Sequence, residues 1–220
     1  MSRHQAAEGW VAQAYRFALD PTPSQARAMA SHAGGARFAY NWGLHLVESR
    51  LRERTRLGEQ ALVEGLSKRE ADAPAEGVGV PWNLYALRRE WNASKDRAAP
   101  WWAANSKEAY SSGLDGLARA LGGYLDSASG KRQGPRVGWP RRKKRRSRAS
   151  CRFTTGRFGT TGAHHIALPR IGVVKTHEPT VKLRAKLADG RARILAATLS
   201  IEAGRVVGVL HLRGVPGGAG

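Results

Sequence analysis

At 220 residues, 41% of them apolar, the chain can bury a real core yet is short enough for one composite unit or two small lobes. Its formal charge of +20 is uneven: 16 basic and 14 acidic residues precede Lys131, a net of +2, whereas 21 basic and 3 acidic residues lie from Lys131 onward, a net of +18. That asymmetry points to a polyanionic partner, while the single cysteine, Cys151, excludes an internal disulfide and a cysteine-built zinc cage.

No run approaches the roughly 20 apolar residues of a membrane span, and Met1 to Trp10 lacks the apolar stretch of a signal peptide. The expectation is a cytoplasmic protein with no membrane partner, no cofactor and no metal. Asn92-Ala93-Ser94 fits a glycosylation sequon, but without an export signal it reads as a chance match.

In chain order, Tyr15-Arg16-Phe17-Ala18-Leu19 alternates and predicts a half-buried strand closed by Asp20-Pro21. A helix follows, with Thr22 as its cap, Pro23 at the first helical position and Gln25 completing a capping box; Gly34-Gly35 is expected to interrupt it. From Ala36 the apolar residues Ala36, Tyr40, Leu44, Val47 and Leu51 recur at helical spacing, predicting a long amphipathic helix that ends near Gly58. Residues 71–81, rich in Ala, Gly, Pro and acid and without a period, predict a loop. Helices are predicted over residues 84–92 and 106–125, the second with Tyr110, Leu114, Leu117, Leu121 and Leu125 along one face.

Residues 127–138, rich in Ser, Gly and basic side chains, mark a boundary, and the pattern then changes. Residues 151–154, 163–168 and 171–174 read as short strands, and 193–201 with 205–213 as a hairpin joined by Glu202-Ala203-Gly204. Residues 181–187 fit a strand by strict alternation and a helix by their flanks, Pro179 and Gly190, with the helix preferred. Several short basic strands in succession suggest a small barrel, so the expected class is α+β.

Three ordered passages carry a resemblance. The first is Tyr15-Arg16-Phe17-Ala18-Leu19-Asp20-Pro21-Thr22-Pro23-Ser24-Gln25, continuing to Ala36-Arg37-Phe38-Ala39-Tyr40-Asn41-Trp42. The second is Gly138-Trp139-Pro140-Arg141 with Ser150-Cys151-Arg152-Phe153-Thr154, and the third is Leu168-Pro169-Arg170-Ile171-Gly172. Together they resemble the N-terminal half of the OrfB or TnpB proteins of bacterial insertion sequences, transposon-associated RNA-guided DNA nucleases related to type V CRISPR effectors. The resemblance covers about residues 15–212. It implies a wedge-like antiparallel β-barrel with an inserted helical recognition lobe. The expected division is an arm and first barrel strand over 1–20, a helical lobe with a helix-turn-helix over 21–126, a basic linker over 127–150, the rest of the barrel over 151–213 and a disordered tail over 214–220.

In that family a RuvC-like nuclease domain follows the last barrel strands and opens on a metal-binding Asp. No acid follows Glu202 in this sequence, so the expectation is that the RuvC-like domain is absent and that the chain has no catalytic residues of its own. The alternatives are a stand-alone DNA-binding repressor, a truncated non-functional copy, or a nuclease that works only with acids supplied from elsewhere. Arg142 stands where the family pattern leads one to expect an aromatic residue.

Candidate nucleic-acid ligands are Arg141, Arg142, Lys143, Lys144, Arg145, Arg146 and Arg148 of the basic run, together with Arg16, Arg37, Arg152 and Lys175. Arginine forks onto phosphate and lysine offers a point charge, so the mixture suits a grip on the backbone of RNA, DNA or both, without sequence choice. The bland alternative is a solvated basic loop. A groove-reading helix is disfavoured, because Phe38, Tyr40, Trp42, Leu44 and Leu46 are core residues and Arg37 is the one clear phosphate partner among them. Trp101 and Trp102 are expected to pack rather than stack on bases, and Cys151 to be a barrel side chain. His164, His165 and His177 lack ligand spacing and read as strand and loop residues.

Overall fold

The strand, helices, strands order holds in the computed structural model, which describes residues 11–145, 149–202 and 205–214. The expected tail beyond Gly214 and the candidates Arg146 and Arg148 lie outside the described residues. The elements are β1 (Val11–Asp20), α1 (Pro23–Val63), α2 (Lys68–Glu76), α3 (Leu84–Ala98), α4 (Lys107–Ala128), β2 (Ala149–Phe153), β3 (Gly159–Gly162), β4 (His165–Leu168), β5 (Gly172–Thr176), α5 (Val181–Ala188), β6 (Ala192–Glu202) and β7 (Arg205–Gly214). The class is α+β. All strand pairings are antiparallel, in the order β2-β6-β7-β1-β5-β4-β3. The sheet is not closed: β2 and β3 are its edges, so the expected barrel is not among these pairings.

The described residues divide into two compact units. One takes the sheet with residues up to Arg37 and Ala103–Ser112; the other takes Phe38–Trp102 and Gly113–Lys144. In the first, register builds the core. Cys151, Leu199, Gly208 and Phe17 lie in one row across β2, β6, β7 and β1, with Phe153, Ala197, Leu210 and Tyr15 in the next. Gly208 packs closely there: a Cβ would lie 3.0 Å from Ile166 Cδ1 and 3.3 Å from Leu19 Cδ1, so those side chains would have to give way. His32 of α1 is buried in this unit, donating from Nδ1 to the Ala28 carbonyl (2.8 Å) and accepting the Ser106 N–H at Nε2 (3.0 Å).

The second unit is helical. Leu44, Val47, Leu87, Leu114, Leu117 and Leu121 are fully buried, and each such side chain contributes roughly 1.5–3 kcal/mol. Aromatic edges tie the periphery: Trp42 and Phe38 meet Trp91, and Phe38 also meets Trp101.

Several local expectations are met. The Thr22 capping box forms in both directions, residues 181–188 are helical, and β6 with β7 makes the hairpin. Others need correction. Gly34-Gly35 does not interrupt α1: a Cβ on Gly35 would come 3.3 Å from Tyr110 Cε1, so that glycine allows close packing inside a continuous helix. The helix passes Gly58 and ends at Val63, closed by Gly65, whose φ of +85° permits a Schellman motif, Gly65 N–H to Leu62 O and Leu66 N–H to Ala61 O. The predicted loop over 71–81 is helical in its first part, to the end of α2 at Glu76, because a capping box of Ser67 and Glu70 starts the helix despite an unfavourable composition; 77–81 is irregular as expected. The short strand β3 was not expected.

Candidate nucleic-acid interface

The basic run begins as a strap fixed along α1 within the helical unit. Asn41, His45 and Glu48 share a helix face by their spacing. The strap runs against the helix direction. Trp139 Nε1 reaches Glu48 Oε1 (3.4 Å), Arg142 Nη2 meets His45 Nδ1 (3.4 Å), and Asn41 clamps the Lys143 backbone. That clamp is reciprocal: Asn41 Oδ1 accepts the Lys143 N–H (2.8 Å) and Asn41 Nδ2 donates to the Lys143 carbonyl (3.0 Å). The Trp139 ring stands edge-on to Tyr124 and Trp82, and Pro140 is buried.

The clamp sorts the cations. The Lys143 ammonium lies over the Tyr40 ring, 4.4 Å from its centroid, with Gly116 of α4 beside it. Burial first, and the charge of Arg119 second, lower its pKa below the ordinary lysine value. Lys143 therefore anchors the strap by its backbone clamp and its contact with Tyr40, although it is exposed like Arg141, Arg142, Lys144 and Arg145. Arg142, at the position expected to be aromatic, reaches His45 instead of filling a pocket. Sequence reasoning missed the anchors Tyr40, Asn41, His45 and Glu48. The available signal was a polar face of helical spacing on an otherwise aromatic segment.

In the sheet unit, Arg152 and Arg16 fall in one cross-strand row, Arg152–Thr198–Val209–Arg16. Arg16 is exposed and Arg152 half-buried, with the Arg152 N–H donated to Ser112 Oγ (3.0 Å). Lys175 lies opposite Asp20 and pairs with its carboxylate at 3.5 Å, so its charge is already partly answered. Arg37 is half-buried on α1 and is not brought beside Arg16 or Arg152 by any pairing in the sheet.

Cys151 is fully buried, and burial followed by the charge of Glu108 pushes its thiol up to about 12, so the neighbouring cations do not activate it. Burial alone would raise the Glu108 pKa, but hydrogen bonds from Thr154 and Thr155 outweigh it and hold the carboxyl below the usual range. Trp101 meets Phe38 edge-on yet is 48% exposed, and Trp102 donates to Asp96 beneath the Lys95 ammonium. His164, His165 and His177 are exposed, and no group of three or more His, Cys, Asp or Glu is gathered for a metal among the described residues. No helix among those residues is long and apolar enough to cross a membrane.

Residues 11–56 match the helix-turn-helix domain family of OrfB from IS605. In this chain those residues form β1 and part of one unbroken helix. Over 208 residues, 90% of the chain, the sequence is 35% identical to proteins of two Mycobacterium tuberculosis strains, CDC 1551 (Oshkosh) and ATCC 25618 (H37Rv), each bearing the name "Putative RNA-guided DNA endonuclease". The match takes in 41% of each, so the chain spans about two fifths of the length of the curated relatives it matches. The resemblance to OrfB and TnpB proteins carried by the three passages stands on these matches.

Proposed function

From this likeness to OrfB and TnpB proteins, we propose that the chain binds nucleic acid by its phosphate backbone, as a TnpB-like guide-RNA or DNA-binding portion that does not cleave by itself. The observation that carries the reading is the anchored strap. A disordered basic loop has no need of a reciprocal amide clamp and a buried proline, whereas here the clamp fixes the backbone at Lys143 and leaves Arg141, Arg142 and Lys144 beside it exposed, with Arg145 exposed next in the chain. Arg146 and Arg148 extend the same charge. The sheet acts as the wedge-like, barrel-shaped part: a Cβ on Gly159 of β3 would lie 3.3 Å from Ile194 Cδ1 of β6, an approach that supports curling of one edge back over the sheet.

Replacing Arg141, Arg142, Lys144 and Arg145 with Ser should weaken binding to a 30-nucleotide RNA and flatten the dependence of log K on log salt by roughly 0.7 for each phosphate left without its cation. An unchanged slope would remove the strap from the interface, and absence of any binding at low salt would remove the function. With magnesium present, the bound strand should remain intact; cleavage would overturn the non-cleaving part. A sequence-specific repressor is the second reading, favoured by the helix-turn-helix family match. The unbroken α1, with Tyr40 buried and Phe38 and Trp42 half-buried against Trp91, weighs against it.

A further inference from the structure

Register gathers arginines on one face of β2, β6, β7 and β1. Residues directly opposite on antiparallel strands point to the same side. Along β7, Gly208, Leu210 and Leu212 are buried while Val207, Val209, His211 and Arg213 are half-exposed on the other side. Arg213 is directly opposite the exposed Arg193 of β6, and Ala12 of β1 completes that row. The row Arg152–Thr198–Val209–Arg16 lies on the same side.

A bulge makes this arrangement. The pairing of β6 with β7 shifts between Ile194 and Ala196, so Arg193 and Thr198, an odd number of residues apart, face the same way. Without the extra residue Arg193 would turn towards the core. Arginines directly opposite each other repel, and among the described residues no carboxylate pairs with Arg16, Arg193 or Arg213. Glu202, opposite Arg205, is at the far end of the hairpin.

The rest of the face is small or aliphatic. Ala12, Ala14 and Ala18 lie between the arginines with the half-exposed Val207 and Val209, Ala196 and Ser200 are buried beneath their neighbours, and the aromatic residues Tyr15, Phe17 and Phe153 belong to the core rows. A strand laid here meets no stacking platform, so the contact is to backbone and not to bases. His211 Nε2 meets Thr198 Oγ1 at 3.0 Å; burial first and the charge of Arg152 second lower its pKa below 6.5, leaving the face's charge to the arginines at neutral pH. Three strand spacings separate Arg152 from Arg16, about 14 Å, and four residues separate Val209 from Arg213, again about 14 Å. Nucleic-acid phosphates, at about 3.4 Å of rise per strand, place several charges within such a frame.

We propose that this face is a second phosphate-binding surface, on which Arg16, Arg152, Arg193 and Arg213 grip the phosphodiester backbone of a nucleic-acid strand. It rests on the nucleic-acid reading above and adds a surface separate from the strap. The test is a salt titration of the full chain on a 30-nucleotide RNA and on a 30-base-pair duplex DNA, with Tm of the free chain measured alongside. Arg193→Ser with Arg213→Ser should flatten the slope by roughly 0.7 per arginine on RNA, or 0.9 on duplex, and leave Tm unchanged or raised as repulsion is relieved. Arg193→Glu should raise Tm, by pairing with Arg213, and weaken binding further; the probe with the larger slope change identifies the strand held. If these variants keep the wild-type slope while the strap variant loses it, this proposal alone fails. Weakened binding accompanied by a lowered Tm also overturns it, since packing would then be the cause. If the wild-type chain binds neither probe, the nucleic-acid reading falls first.

Discussion

The strap and the sheet face both present arginines, but different parts of the fold hold them. On the strap, position depends on side chains reaching back from a helix: Asn41 clamps Lys143, and Tyr40 takes its ammonium. On the sheet, position depends on the backbone ladder, with Arg16 and Arg152 aligned by register across four strands and Arg193 turned outward by a bulge. The difference shows why charge density is a poor guide to which cations are available. The densest run contains an anchor, Lys143, whereas the sparser hairpin carries an unanswered pair.

That contrast implies separate weak points. The sheet unit fixes the end of β2 through Glu108, which accepts from the Thr154 N–H (2.8 Å) and Oγ (2.6 Å). Glu108→Gln removes a charged acceptor and should cost about 2–3 kcal/mol in urea unfolding. The pH profile separates it from His32. Burial first, with the charge of Arg170 adding to it, lowers the His32 pKa despite the opposing Ala28 hydrogen bond, so its folded form resists protonation. Stability from His32 is complete above its ordinary value of 6.5 and declines as pH falls through it. Glu108, with a depressed folded pKa, contributes above the ordinary carboxyl value of 4.5 and is lost as pH falls through its lower folded value. Glu108→Gln should therefore flatten only the lower limb. If it changes the limb near 6.5 instead, the two roles have been exchanged.

The strap should yield to Asn41→Leu, which deletes both clamp bonds at a cost of about 2 kcal/mol to the closed strap. Native-state trypsin digestion should then cut after Arg141, Arg142 or Lys144 roughly tenfold to thirtyfold faster, following the population of the open form. Because the clamp belongs to the helical unit, the acid limbs assigned to Glu108 and His32 should not move. An unchanged digestion rate would mean that the aromatic contacts of Trp139 hold the strap without Asn41.

What was legible in the sequence was local. The Thr22 capping box, the hairpin alternation and the Tyr110, Leu114, Leu117 and Leu121 face are each set within a few turns of chain, and each forms. The Ser67 capping box is equally local, and it starts α2 within the stretch whose composition predicts a loop. Asn41 and Lys143 are 102 residues apart, so no spacing in the sequence announces their clamp. Arg193 was hidden for a different reason: strict alternation, carried through without a bulge, assigns it to the wrong face.

Gly34 and Gly35 give the smallest effect, and it tests the sheet unit without touching the strap. As a pair they suggest a helix break, yet both lie inside α1 without positive φ. A Cβ on Gly34 would meet nothing within 4 Å, whereas one on Gly35 would press 3.3 Å from the Tyr110 ring, which is fully buried and bonded through its hydroxyl to Asn105. Gly34→Ala should therefore gain about 0.5–1 kcal/mol, by removing backbone freedom from the unfolded chain and improving helix propensity. Gly35→Ala brings the same propensity gain but must displace a packed ring, so its net effect in urea unfolding should fall below that of Gly34→Ala. Equal gains at the two positions would mean that Tyr110 yields freely, and would end the argument that Gly35 is present for close approach.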